Sequence, residues 1–150
     1  MDKAQALNKL SQLFAQMPFN QLLAMEIKDL DGESASIELP WSAQLIGNPQ
    51  QQILHGGVIS SLLDTVGGLL AAASVIDKFG PAEMLSAQSR LATLGTIDLR
   101  TDYLRPGKGE RFIATAMLIR SGNKVCVCRM ELHNDQGVQI AYGTGTYLVG

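Results

Sequence analysis

The sequence predicts an α+β fold: one antiparallel sheet with a single long central helix against one face, and an extra helix at the N-terminus. Three observations predict it. Apolar residues recur at helical spacing near the N-terminus and again, densely, from Val58 to Ile76. The C-terminal part changes to the period of strands, with short turns between them. Turns that short join antiparallel neighbours, because a parallel crossover needs a dozen residues or more.

Taken in order, Leu7, Leu10, Leu13, Phe14 and Met17 mark an amphipathic helix ending near Pro18. Met25–Leu30 and Ser34–Leu39 flank Asp31-Gly32, a dipeptide favoured in tight hairpins. A loop from Pro40 to Leu54 follows, with Gly47, Asn48 and Pro49 as breakers. The apolar helix then runs to about Ile76, Gly80-Pro81 breaks the chain, and Ala82–Leu91 forms a short helix. Gly95–Tyr103, Arg111–Arg120, Lys124–His133 and Gln139–Leu148 read as four strands. Their turns are Pro106-Gly107, Ser121-Gly122-Asn123 and Asn134–Gly137. No repeat, low-complexity tract or linker interrupts them, so residues 1–150 are expected to form one domain.

Composition removes several classes of function. At 46% hydrophobic and 17% charged residues the chain is too apolar for disorder. A net charge of -2 gives no general attraction to nucleic acid or to anionic lipid. The N-terminus lacks the apolar core of a signal peptide. No window reads as a membrane span, since Ser60, Ser61, Asp64 and glycines interrupt Val58–Ile76. Cys126 and Cys128, two apart on one strand, point the same way, which suits free core thiols and a cytoplasmic setting better than a disulfide. With His133 distant, they match no common zinc spacing, so no metal is expected.

The stretch ILHGGVISSLLDTVGG carries the chemistry. At helical spacing the neighbours of Asp64 are Gly57, Ser60, Ser61, Gly67, Gly68 and Ala71, all small. Ile59, Leu62, Leu63, Val66, Leu69 and Leu70 form the opposite, sheet-packing stripe. Each helical glycine costs about 1 kcal/mol against Ala, and close approach by another group is a compensation for that cost. A solvated polar face is the other reading, although such faces normally carry Lys, Glu or Gln and this one has none.

His55 precedes Asp64 by nine residues, which at about 100° per residue is half a turn out of phase. His55-Gly56-Gly57 therefore belongs to the helix mouth, where first-turn amides are free to meet an oxyanion or a polarised carbonyl. A loop-capping histidine and a tight glycine turn are the plainer alternatives. If the mouth and Asp64 form one site, a second copy of the chain has to supply the other half.

HGGVISSLLDTVGG, GTIDLRTDYLRPG, RSGNKVCVCRMELHN and AYGTGTYLVG together resemble the hotdog-fold acyl-CoA thioesterases of the PaaI type, from about Met17 to Gly150. The resemblance implies a sheet wrapped around the central helix, homodimers whose sheets join, and often a dimer of dimers. It implies a site at the dimer interface, with Asp64 as general base or nucleophile and the Gly56 amide on the thioester carbonyl. His55 would orient that loop, Thr96 would help hold the water, and Asn48 approximately matches an asparagine ahead of the HGG. It also implies hydrolysis of medium- or long-chain fatty acyl-CoA, with no cofactor beyond the coenzyme A of the substrate.

The substrate-facing set on this reading is Gly57, Ser61, Gly67 and Gly68, the last two leaving room for the acyl group. Phosphates require local cations; Arg90, Arg105, Arg120 and Lys124 are candidates, the last two flanking the turn at Gly122 and Asn123. Arg100 and Arg129 alternate on strands with acids nearby and are expected to be ion-paired. Two other functions stay open: an aromatic acyl-CoA thioesterase, although only 5% of residues are aromatic, and a non-catalytic acyl-CoA-binding or sensing module. A hydratase of this fold is disfavoured, because its histidine lies well upstream of the acid and His133 lies downstream.

Overall fold

The computed structural model describes residues 1–80 and 83–150. Helix α1 (Lys3–Gln16) opens with a capping box: the Asp2 carboxylate accepts from Gln5 N and the Gln5 side chain accepts from Asp2 N. α1 ends at Gln16, near Pro18 as expected, and Pro18 then opens a further short helix, α2 (Pro18–Leu22), since proline is preorganised for the first helical position. Strands β1 (Glu26–Leu30) and β2 (Ser34–Pro40) form the expected hairpin. Asp31 fixes its turn by accepting from Glu33 N and Ser34 N, which holds the Asp31 carboxyl below its ordinary pKa.

Residues 40–54 hold more structure than a loop. A 3₁₀ turn (Ala43–Leu45) leads into β3 (Ile46–Asn48), which pairs with β4 (Ile53–Leu54). The breakers Asn48 and Pro49 make the reversal of that hairpin, with Gln52 at φ 53°. Then come α3 (Gly56–Lys78), α4 (Met84–Leu91), β5 (Gly95–Tyr103), β6 (Arg111–Ser121), β7 (Val125–Asn134) and β8 (Gln139–Leu148). Of the short helix expected over Ala82–Leu91, Ala82 lies outside the described residues, as does Pro81 of the expected break.

Six strands form one antiparallel sheet in the order β1-β2-β6-β7-β8-β5, and α3 packs on its concave face. This is the hotdog architecture. Leu62, Leu63, Val66, Leu69 and Leu70 of α3 are fully buried against alternating residues such as Phe112, Ala114, Met130 and Leu132. Each such leucine contributes roughly 1.5–3 kcal/mol. By length and composition α3 could cross a bilayer, contrary to the reading from its polar interruptions, but most of it is buried inside this fold. Cys126 and Cys128 are free, buried and 3.9 Å apart at sulfur.

α1 runs antiparallel to α3 across the same side of the sheet. Lys3 Nζ donates to the Asp77 carbonyl at one end, and Ala6, Leu10 and Phe14 are buried beneath the helix. At the sheet's other margin β5 pairs, among the described residues, with β8 alone, leaving a nine-residue edge whose residues are mostly exposed, Ile97 among them at 53%. An edge of that length is normally protected or paired.

Candidate active site

Asp64 lies half-buried on α3, eight residues past its first. The neighbouring edge strand brings Thr96 to it: Thr96 Oγ1 donates to Asp64 Oδ1 at 2.9 Å. Tyr147 of β8 lies beneath and donates its hydroxyl to the Asp64 backbone carbonyl at 3.2 Å. Burial, and after it the nearby Asp64 charge, push the Tyr147 hydroxyl far above its ordinary pKa, so it stays a donor. A cavity of about 190 Å³ opens over the acid. Asp64, Thr96 and Gly68 line one side, while Phe14, Met17 and Asn20 close it from the α1–α2 corner.

The sequence pattern gave no sign of that corner's role. Helical spacing puts Leu10, Phe14 and Met17 on one face, but nothing in the pattern says what the face meets. Asn20 closes the corner, its buried side-chain amide donating to the Phe14 carbonyl at 2.9 Å while the Asn20 backbone carbonyl accepts from Met25 N.

The glycines separate into two roles. A Cβ at Gly67 would stand 2.2 Å from the Tyr147 hydroxyl, so the space beside Gly67 is filled by the protein's own tyrosine and not left for an acyl group. At Gly68 the nearest atom would be 3.6 Å away, an ordinary contact, and Gly68 does border the cavity.

At the helix mouth His55 is the N-cap of α3, its Nδ1 accepting from Gly57 N at 2.8 Å. His55 N in turn donates to the Leu45 carbonyl. The Gly57 amide and the Ser61 hydroxyl, which donates to the Gly57 carbonyl at 2.7 Å, are therefore engaged within the helix. Gly56 N–H is a first-position amide with no acceptor among the described residues, because an α-helix offers it none. Tyr103, at the end of β5, donates to the Gly56 carbonyl at 2.8 Å and accepts from Ser60 Oγ. It pins the mouth to the sheet, a function that its place in a predicted strand did not disclose.

Asn48 makes no hydrogen bond to either group among the described residues. Its Oδ1 accepts from Gln50 N at 3.1 Å and closes the β3–β4 reversal. The eight-position separation of Gly56 and Asp64 amounts to about 12 Å along the helix axis. Within one chain the free amide and the carboxylate therefore do not converge on one small group.

The candidate cations fall at two ends of the sheet. Arg90 donates to the Asn123 carbonyl and stacks over Phe79, and Lys78 donates to the Ser121 and Gly122 carbonyls. Arg120 and Lys124 are exposed beside this turn. Arg105 instead donates to the Gln139 carbonyl at the opposite end of β8, about 30 Å away by strand length. Arg100 pairs with Asp102 at 3.2 Å, whereas Arg129 forms none of the described ion pairs and lies 4.2 Å from the centre of the Tyr142 ring. A tyrosine face at that distance competes well with exposed acids for a guanidinium.

Comparison with known proteins identifies the family. Residues 51–141, from the β3–β4 hairpin into β8, match the model of the thioesterase superfamily. The chain is 46% identical over 147 residues to the medium/long-chain acyl-CoA thioesterase YigI of Escherichia coli, covering 97% of this chain and 95% of that one. Its counterpart in Salmonella typhimurium is 44% identical over the same span. A crystal structure of a Shewanella oneidensis protein described as related to the thioesterase superfamily superposes with a TM-score of 0.95 at 50% identity, covering 99% and 97% of the two chains. The Escherichia coli PaaI protein shares the fold at a TM-score of 0.77 and 21% identity, over 99% and 94% of the chains. With a family match over most of its length and such identity across nearly all of it, the protein belongs to the thioesterase superfamily.

Proposed function

We propose that the protein hydrolyses the thioester of medium- or long-chain fatty acyl-CoA, giving the free acid and coenzyme A, at a site completed by two copies of the chain. The observation that carries this reading is the Thr96-held Asp64 carboxylate at the floor of a cavity, on the same helix whose first amide has no acceptor. Thioester hydrolysis needs both parts: a carboxylate to activate water or attack the carbonyl carbon, and a donor for the charge that develops on oxygen. Water adds to the carbonyl carbon, the C–S bond breaks, and the thiolate leaves with a proton to become free coenzyme A.

Two chains are required because Gly56 and Asp64 stand too far apart along one helix. The unpaired β5 edge supports a partner there, since joining two β5 strands extends the sheet and places the Thr96–Asp64 pair beside the seam. In a two-fold pair, Asp64 of one protomer would face the Gly56 amide of its partner, and His55 would hold that mouth in shape. A further pairing into a dimer of dimers goes with this reading.

For the coenzyme A phosphates, the turn at Gly122 and Asn123 with Arg90, Arg120 and Lys124 is the better candidate, as it concentrates cations that Arg105 does not join. Free buried thiols support a cytoplasmic setting. The test is release of free coenzyme A from acyl-CoA esters of four to eighteen carbons and from aromatic esters, with Asp64→Ala as control. Release that peaks on medium or long chains and vanishes in the variant is expected. Release from aromatic esters alone would replace the substrate class, and no release from any ester would favour a binding module.

A further inference from the structure

We propose that Tyr103 is a positioning residue for the reaction: it sets the Gly56 amide for the Asp64 carboxylate of the other chain. The proposal rests on the two-chain acyl-CoA thioesterase reading above. Tyr103 donates its hydroxyl to the Gly56 carbonyl at 2.8 Å, and a Cβ at Gly56 would meet its ring at 3.4 Å. Ser60, one turn further along α3, is bonded to the same hydroxyl. A tyrosine has one proton, so with the Gly56 carbonyl taking it, Ser60 Oγ is the donor in the second bond. Tyr103 is 52% exposed, yet both bonds of its hydroxyl turn inward to the helix mouth.

Gly56 and Gly57 open α3 with no side chains to restrict them, at the end of a helix that is most prone to fray. The His55–Gly56 peptide carries the free N–H. Its carbonyl accepts from Val58 N at 2.9 Å, and the His55 ring accepts from Gly57 N, both within the first turn. His55 N ties the preceding residue to the Leu45 carbonyl. Tyr103 reaches Gly56 itself, and from the sheet. A donor for developing charge is worth most when it is fixed in place before the charge appears.

The edge strand is built to hold both halves of the site. Thr96 and Tyr103 are seven positions apart, which on a regular strand puts their side chains on opposite faces. The register break between Thr96 and Asp98 adds one residue, so Thr96 pairs with Tyr147 and Tyr103 with Ala141, both buried. Such bulges re-aim side chains beside functional sites. Thr96 thereby reaches Asp64, and Tyr103 reaches Gly56. Gly56 and Asp64 are too far apart along one helix to share a substrate. An antiparallel two-fold pair of β5 strands brings the start of one strand toward the end of the other. Each site then takes Asp64 and Thr96 from one chain, and the Gly56 amide from the partner, held by the partner's Tyr103.

Tyr103→Phe removes the hydroxyl and keeps the ring. Thermal melting and size-exclusion chromatography check that it is folded and assembled as the parent. With decanoyl-CoA, kcat should fall about tenfold, the worth of one hydrogen bond. KM should stay within about twofold, because the amide acts on charge that develops only in the transition state. In a Gly56→Pro background the same change should cost nothing further, as no amide is left to place. Subunit exchange shows which chain's acid Tyr103 serves. Mixed with Asp64→Asn chains, Tyr103→Phe chains should exceed the mean of the two unmixed proteins about fivefold, since in mixed dimers the surviving Asp64 meets an intact Tyr103. A parental kcat, a loss carried by KM, or a tenfold loss repeated in the Gly56→Pro background overturns the proposal. So does an exchange without gain where Gly56→Pro and Asp64→Asn chains do complement each other. If neither mixture gains, the two-chain site falls. Parent protein that releases no coenzyme A from any ester overturns the thioesterase reading itself, and either result takes the role of Tyr103 with it.

Discussion

Thr96 and Asp64 are joined by a 2.9 Å hydrogen bond between the edge strand and the central helix. The threonine hydroxyl donates to one carboxylate oxygen and leaves the other without a hydrogen-bond donor among the described residues. A single contact thus orients the acid and ties it to the strand at which a second chain is proposed to pair.

Removing the carboxylate should abolish hydrolysis without unfolding the protein. Asp64→Asn keeps the size of the side chain and can still accept from Thr96. The expected loss in kcat is ~10²–10⁴-fold, the usual worth of a positioned base. Thiol release measured beside an unchanged melting temperature checks it, and near-parental turnover would remove Asp64 from the mechanism.

Thr96 is a positioning residue. Thr96→Val deletes the donor at constant shape and should cost about ten- to a hundredfold in kcat, the size of a hydrogen bond to a charged group. Thr96→Ser should recover most of it. A valine variant with full kcat, or a serine variant no better than valine, would show that the contact is idle.

The two-chain site can be tested by complementation. Gly56 occupies the first position of α3, where proline fits, and His55 before it has ψ 135°, the extended backbone that proline demands of its predecessor. Gly56→Pro therefore removes the free amide with the helix retained, and a loss of ~10²–10³-fold is expected. Mixing Gly56→Pro with Asp64→Asn chains should restore about a quarter of the parental rate. Half of randomly exchanged two-fold dimers are mixed, and each mixed dimer carries one intact site. No recovery after verified subunit exchange would place both groups of each site in one chain.

Adjacent glycines should respond in opposite ways. Gly67→Ala forces a methyl to 2.2 Å from the Tyr147 hydroxyl and should destabilise by about 1–3 kcal/mol. Gly68→Ala meets only ordinary contacts and should gain up to about 1 kcal/mol from helix propensity. Melting curves of the two variants decide, and equal shifts would contradict the packing described around Tyr147.

Much of the fold was legible in the chain because its signals are local. Alternation and turn residues put β5 and β8 at their observed limits, and the small neighbours of Asp64 marked the face on which the cavity opens. Where a signal had two physical readings, the fold chose between them. The first helix ends just before Pro18 as expected, but Pro18 also opens a second one, and Asn48-Pro49 turns a hairpin inside what read as a loop. Gly67, expected to make room for substrate, makes room for Tyr147.

By itself, then, the sequence determined the order and type of the main elements, the small face around Asp64 and the half-turn that separates it from His55. These follow from helical and strand periodicity, which neighbours along the chain encode. Only the tertiary structure decided that Thr96 reaches Asp64, that Tyr103 pins the Gly56 carbonyl and that the α1–α2 corner roofs the cavity. Those contacts span 32 residues or more of chain, and periodicity fixes which way a face points but not which other face it meets.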